Sequence, residues 1–229
     1  MTVLEIKNLT FSFSKAAEPV IKNFSFSIEK GEIVGILGQS GSGKSTLLRL
    51  ISGLEMAQTG MIKIAETLVF DEGFFLQPED RGVGMVFQDY ALFPHMNVRD
   101  NILFGLNRIP RKDRKQRVKE MLELVKMEQF ESRYPHELSG GQQQRIALAR
   151  ALAPKPNLLL MDEPFSNLDA DLKESIREDL RTILKKANMT CIIVTHDKND
   201  VDAICDRSIV FDQPQNSKGN KNGKITIVQ

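Results

Sequence analysis

From Leu4 to Ile28 apolar and polar positions alternate over short stretches, with Leu4 and Ile6 at one end and Phe24, Phe26 and Ile28 at the other. A period of two, broken at Ala16, Ala17 and Pro19, predicts a small antiparallel sheet. Met61-Ile-Lys-Ile, after Gly60, can return to that sheet. Between these pieces, Glu32 to Leu37 is an apolar strand, followed by a glycine-rich turn. Ser45 to Ser52, with Leu47, Leu48, Leu50 and Ile51, then suits a buried helix that Gly53 can stop. Val118, Met121, Leu122 and Val125 stand at i, i+3, i+4 and i+7, which predicts a helix over 111–129. Its other face carries Arg111, Lys112, Arg114, Lys115 and Arg117, readable as a docking surface for something acidic or as a solvated face.

The C-terminal half alternates strand and helix. Leu158 to Met161 is an apolar run, Leu172, Ile176, Leu180, Ile183 and Leu184 follow at helical spacing, and Cys191 to Val194 is apolar again. Strands separated by helices predict a parallel α/β core. Residues 213–224 hold no apolar side chain and predict a flexible turn before a short strand, Ile225 to Val228.

Composition narrows the class. A chain of 229 residues that is 41% hydrophobic has enough apolar material for a core and for one or two domains. Thirty-one basic residues face thirty acidic ones, so a net charge of +1 implies no broad attraction to nucleic acid or anionic lipid. Two cysteines make no disulfide framework and the N-terminus lacks a secretory layout, which points to a reducing cytoplasm. Apolar runs such as Ile33 to Leu37 fall far short of the ~20 residues a membrane span needs, so any spanning segment must belong to another chain.

The chemistry begins at Gly38-Gln-Ser-Gly-Ser-Gly-Lys-Ser-Thr, which has the phosphate-loop spacing between a strand and a helix. Gly41 and Gly43 let the backbone turn its N–H groups and the positive helix end towards a polyphosphate. Lys44 adds a charge for the β and γ phosphates, and the Ser45 hydroxyl suits Mg²⁺. The second apolar strand ends in Asp162-Glu163, at the carboxyl edge where open α/β sheets place ligands. Asp162 can hold the metal through water, and Glu163 can polarise an attacking water. Ile192-Ile-Val-Thr-His-Asp delivers His196 to the same edge as a γ-phosphate contact. Leu138-Ser-Gly-Gly-Gln adds a second helix start, where Ser139 can cap and Gly140 and Gly141 expose amides to another anion.

Together these motifs resemble the ATP-binding subunits of ABC transporters over nearly the whole chain. The resemblance makes Gly38 to Thr46 the Walker A loop, Gln88 the Q-loop, Leu138 to Gln142 the signature and Leu158 to Glu163 Walker B. Ser166-Asn-Leu-Asp169 becomes the D-loop and His196 the switch histidine. The implied fold is α/β: a P-loop NTPase of the ABC ATPase type, with a RecA-like parallel-sheet core, an antiparallel β subdomain and an α-helical signature subdomain. The whole of 1–229 forms one such domain, with 1–88 and 151–229 as ATP-binding core and 89–150 as the helical part.

The same resemblance implies ATP and Mg²⁺ as cofactors and a head-to-tail dimer. ATP would lie between Ser40, Gly41, Ser42, Gly43, Lys44, Ser45 and Thr46 of one copy and Ser139, Gly141 and Gln142 of the other, with Asp169 close by. Ser45, Gln88 and Asp162 would hold the metal, and Lys44, Glu163 and His196 would act in hydrolysis. Phe13 falls where the family stacks an aromatic on adenine, with Phe11 as competitor. Gln88 would also couple the site to the membrane subunits, with Tyr90 to Met96 as exposed apolar interface.

VGMVFQDYALFPHMNVRDNI and RYPHELSGGQQQRIALARALA look most like importers of ferric iron, polyamines, sulfate and maltose, with ferric iron leading. That implies two transmembrane permease subunits, an extracellular or periplasmic solute-binding protein, no nucleic acid, and a peripheral place on the cytoplasmic face of the membrane. Because the chain stops at Gln229, the C-terminal regulatory domain of many such subunits is not expected, and a short thiamine-type subunit fits as well. Exporter subunits, DNA-repair ATPases and ribosome-binding factors compete for the same motifs. The repair proteins need a coiled-coil insertion where only about 90 residues separate Ser45 from Leu138, and the ribosomal factors need two cassettes.

Overall fold

The computed structural model describes residues 1–14, 18–168, 170–211 and 226–228, with 170–172 and 226–228 described by backbone alone. Asp169, the break at 16–17 and the segment 213–224 lie outside the described residues.

The alternating positions build the first sheet. β1 (Thr2–Phe11) pairs antiparallel with β2 (Ile21–Glu29), setting Leu4 opposite Ile28 and Ile6 opposite Phe26. β4 (Thr59–Ile64) takes the other edge of β1, with Ile62 opposite Ile6. β5 (Thr67–Asp71) and β6 (Phe74–Phe75) complete the order β2-β1-β4-β5-β6. One side chain in two reaches the core, which is why the pattern reads at period two.

The second sheet comprises β3 (Ile33–Leu37), β7 (Val83–Val86), β8 (Leu158–Asp162), β9 (Cys191–Thr195), β10 (Arg207–Val210) and β11 (Thr226–Val228). Their order is β11-β10-β3-β9-β8-β7, parallel throughout except for the β10–β11 pair. Every residue of β8 and β9 is buried. Leu158, Leu160, Ile192 and Val194 face the core shared with the antiparallel sheet, whereas Leu159, Met161, Cys191 and Ile193 face the core shared with helices. Burial on both faces turns alternation into continuous apolar runs, each large side chain adding about 1.5–3 kcal/mol.

α1 (Lys44–Ser52) leaves the carboxyl end of β3 and stops at Gly53, whose φ of +86° admits the left-handed cap. Arg81 backs this end, donating to Leu76 O, Leu50 O and Ile51 O at 2.8, 2.9 and 3.0 Å. Burial lowers its guanidinium pKa to about 10. Between β7 and β8 run α2 (Val98–Phe104), α3 (Arg111–Val125) and α4 (Gly140–Leu152), so the helical region continues two residues past 150. α5 (Ala170–Lys186) joins β8 to β9, and α6 (Lys198–Ile204) joins β9 to β10.

Two expectations are corrected here. The helix predicted over 111–129 ends at Val125: Lys126 turns left-handed (φ +57°), and a separate 3₁₀ turn covers Glu128–Phe130. In a continued helix Met127 would sit ~200° round from Val125 and face water; the turn buries it. Tyr90, expected on an exposed apolar stretch, is 4% exposed and belongs to the core. The basic face also divides. Arg117 donates to Leu152 O and Ala153 O at the end of α4, Arg114 donates to Asn107 O and Ile109 O, and Arg111, Lys112 and Lys115 are solvated.

Candidate nucleotide site

The loop between β3 and α1 is shaped by two left-handed glycines, Gly41 at φ +80° and Gly43 at φ +100°. A Cβ at Gly43 would lie 2.8 Å from Val20 Cγ1, so only glycine fits both the angle and the space. Gly43 is the N-cap of α1 and offers no side-chain cap. The first amides of the helix are thus left for a ligand, at the end where the dipole favours an anion. Ser42 Oγ is buried with no hydrogen-bond partner among the described residues. Thr46 is buried behind the loop, whereas Ser40 and Gly41 are exposed.

Lys44 Nζ donates to Gly38 O and Gln39 O, both at 2.8 Å, and lies 3.9 Å from Glu163 Oε1. Burial lowers its pKa, and Glu163 and Asp162 oppose that shift. Ser45 Oγ donates to Asp162 Oδ1 at 2.8 Å. Burial raises the Asp162 carboxyl above its usual range despite that hydrogen bond, with Glu163 adding to the rise. A buried carboxylate beside a hydroxyl is a hard oxygen donor set that a divalent cation such as Mg²⁺ suits, and Lys44 with the open amides suits a phosphate chain.

Glu163 carries the most informative backbone angle. Its φ of +43° puts a non-glycine residue in the left-handed region, at a cost of about 1–3 kcal/mol. The surroundings hold it there: its N–H donates to Val194 O, and its carbonyl accepts from Ser166 N and Ser166 Oγ. Its carboxylate thereby meets His196, with Oε2 2.9 Å from Nδ1. Glu163, His196, Ser40 and Gly38 line one cleft of about 480 Å³, a size within the ~300–1,000 Å³ of small-molecule sites.

Three strand ends therefore bring Lys44, Ser45, Asp162, Glu163 and His196 together. Outside this loop, Ser139, Gly141, Gln142, Gln88 and Phe13 make none of these contacts. Ser139 caps α4 in a closed box, with Gln142 N donating to Ser139 Oγ (3.4 Å) and Ser139 N to Gln142 Oε1 (2.9 Å). Gly141 packs against Ile176 of α5. Gln88 is exposed, and its carbonyl accepts from Asn167 Nδ2 at 2.9 Å. Phe13 is 65% exposed and set edge-on to Phe11, which is buried in the small sheet, so Phe13 is the free aromatic of the two.

Several side chains escaped the sequence reading. Arg150 donates to Tyr90 O and Ala91 O, bracing two left-handed residues just after Gln88. Arg177 of α5 binds Asp197 and Asp200, on either side of the turn that follows His196. The available signal was slight: Arg177 follows Ile176, at the border of the apolar stripe, and nothing in one dimension names its partners.

Comparison with known proteins bears on the family and the fold. Residues 21–166 match a family model described as ABC transporter. The chain is 47% identical over 210 residues to the Fe(3+) ions import ATP-binding protein FbpC of Pasteurella multocida, covering 91% of this chain and 58% of that protein. It is 45% identical over 216 residues to the sulfate/thiosulfate import ATP-binding protein CysA of Escherichia coli, covering 92% and 58%. The chain thus spans about 58% of the length of these two relatives. Among solved structures, cbiO1 of Clostridium perfringens, part of the ABC transporter complex cbiONQ, superposes with a TM-score of 0.80 at 28% identity, covering 92% of this chain and 85% of that one. The ATP-binding cassette MJ0796, dimeric and bound to ADP and Pi in a post-hydrolysis state, superposes with a TM-score of 0.74 at 32% identity, covering 91% and 94%. With the phosphate loop, the paired carboxylates and the Ser-Gly-Gly helix start all inside or beside the matched span, the chain belongs to the ABC transporter family, as an ATP-binding domain.

Proposed function

We propose that the chain binds MgATP at Gly38–Thr46 and hydrolyses it to energise solute import through two separate membrane-spanning permease subunits. The reading is carried above all by Glu163, held in a strained backbone angle between Lys44 and His196 at the rim of the cleft.

In this mechanism Lys44 and the open amides of α1 bind the β and γ phosphates. Ser45 and Asp162, joined by Gln88 in the bound state, would hold Mg²⁺, which would supply positive charge against the phosphate oxygens. Glu163 accepts a proton from water as its oxygen bonds to the γ phosphorus, while the phosphorus–oxygen bond to ADP breaks. His196, oriented through Nδ1, keeps Nε2 for the γ phosphate. Phe13 stacks on adenine. A second copy, arranged head to tail, supplies Ser139, Gly141 and Gln142, with Asp169 at the junction.

Replacing Glu163→Gln tests this directly. Hydrolysis should fall about 100-fold or more while ATP remains bound and the two copies stay associated. A monomeric variant hydrolysing at full rate would refute it.

Ferric iron is the proposed solute, supported by the FbpC name of relatives at 43–47% identity. A solute-binding protein outside the membrane would deliver it, and the chain would sit peripherally on the cytoplasmic face. Among the described residues no helix is long and apolar enough to cross a membrane. Uptake of labelled ferric iron into vesicles carrying the permease pair tests the solute; uptake of sulfate instead would change it and leave the ATPase reading intact.

A further inference from the structure

His196 lies between two anchored neighbours. Thr195, at the end of β9, is 2% exposed; its Oγ1 donates to Asp200 Oδ2 (2.6 Å) and accepts from Asp197 N (3.0 Å). Asp197 caps α6, its Oδ1 accepting from Asn199 N at 2.9 Å. Arg177, 12% exposed, closes the set. Its Nε and Nη2 reach Asp200 Oδ1 at 2.7 and 2.5 Å, and Nη2 reaches Asp197 Oδ2 at 2.8 Å. Its guanidinium also stands 5.9 Å from the centre of the buried Phe165 ring, two residues beyond Glu163.

One side chain therefore touches both arms of the Glu163–His196 pair: the turn that presents the histidine and the segment that follows the carboxylate. An ammonium could neutralise Asp200, but only a planar fork meets two carboxylates while facing a ring. A buried pair of this kind contributes little net stability, and a plain helix contact would need no such geometry.

We propose that Arg177 is a positioning residue for hydrolysis, fixing His196 against Glu163 by locking the Thr195–Asp197 turn. The proposal rests on the reading of Glu163 and His196 as the working pair. Steady-state ATP hydrolysis by the full chain tests it, comparing Arg177→Met, Arg177→Lys and the double variant Arg177→Met/Asp200→Asn, with rates scaled to the folded fraction from thermal melts. Displacing a positioned group by about 1 Å can cost ~100-fold. Arg177→Met should therefore lose at least tenfold in kcat, with KM for ATP within twofold, and Arg177→Lys should recover part of it. The double variant, which removes the stranded Asp200 charge, should regain thermal stability without regaining kcat. It also decides the matter if Arg177→Met does not fold. A double variant that melts and hydrolyses like the natural chain overturns the proposal, as does a loss of kcat no larger than the loss of folded protein. Glu163→Gln and His196→Ala separate the two readings. If both hydrolyse normally, the pair falls and the positioning role with it; if both are inactive while Arg177→Met is active, Arg177 alone falls.

Discussion

α1 and α4 are both short helices that begin at a serine–glycine turn, yet their first turns are finished differently. At α1 the cap is a left-handed glycine without a side chain, and a buried lysine and a hydroxyl converge just inside. At α4 the cap is Ser139, already bound to Gln142 in both directions. One end is open and preorganised, with its polar partners drawn from three strands; the other is satisfied locally by its own box. In a single chain the first is the proposed binding site and the second a stable helix start, and the proposed head-to-tail arrangement brings one of each kind together.

Glycine replacements should separate the two ends most sharply. Gly43→Ala meets both a φ of +100° and Val20 at 2.8 Å, strain of about 1–3 kcal/mol; a free loop that relaxes to relieve it gives up about five- to 150-fold in nucleotide affinity. Gly141→Ala meets only the flexible tip of Ile176, so nucleotide titration of the dilute chain should show no change.

The serines give a smaller contrast. Ser45→Ala removes the partner of Asp162 and should weaken Mg²⁺-dependent binding at least about tenfold, from the ~1.5–3 kcal/mol of a hydrogen bond to a charged group. Ser139→Ala should lower the melting free energy by about 1 kcal/mol and slow hydrolysis, yet leave binding by the dilute chain intact. Equal effects of the two on binding would erase the distinction.

The smallest effect is alkaline. Cys191 and Cys205 pack in or against the core that α4 shares with the parallel sheet. Burial raises the Cys205 thiol from 9.0 to about 12, and Cys191 well above 9.0. A raised folded pKa gives stability that is complete below 9.0 and is lost as pH climbs towards 12. Melts across that window should fall, and Cys205→Ser should flatten the slope. Alkylation of the folded chain near pH 8 should be slow at both positions.

Much of this was legible in the sequence because it is local. Gly53, Ser139 and the Gly41–Gly43 loop act on residues within a turn of themselves, and β8 and β9 declare themselves as runs buried on both faces. Tyr90 was misread because its burial depends on α2 and α4, folded some way further along. The end of α3 was misread because Met127 fits the core only after a turn that periodicity does not record. Arg177 and the left-handed Glu163 were invisible for the same reason: their partners are 20 and more residues distant.

The far end of α1 carries one more implication. Gly53 and Arg81 complete its carbonyl terminus, while among the described residues no side chain caps its amide terminus. Nucleotide is then, in thermodynamic terms, a missing piece of the fold. Mass action makes that piece worth about 4 kcal/mol when free nucleotide is a thousandfold above its dissociation constant, so on the proposed function the resistance of this protein to unfolding should rise with the concentration of free nucleotide around it.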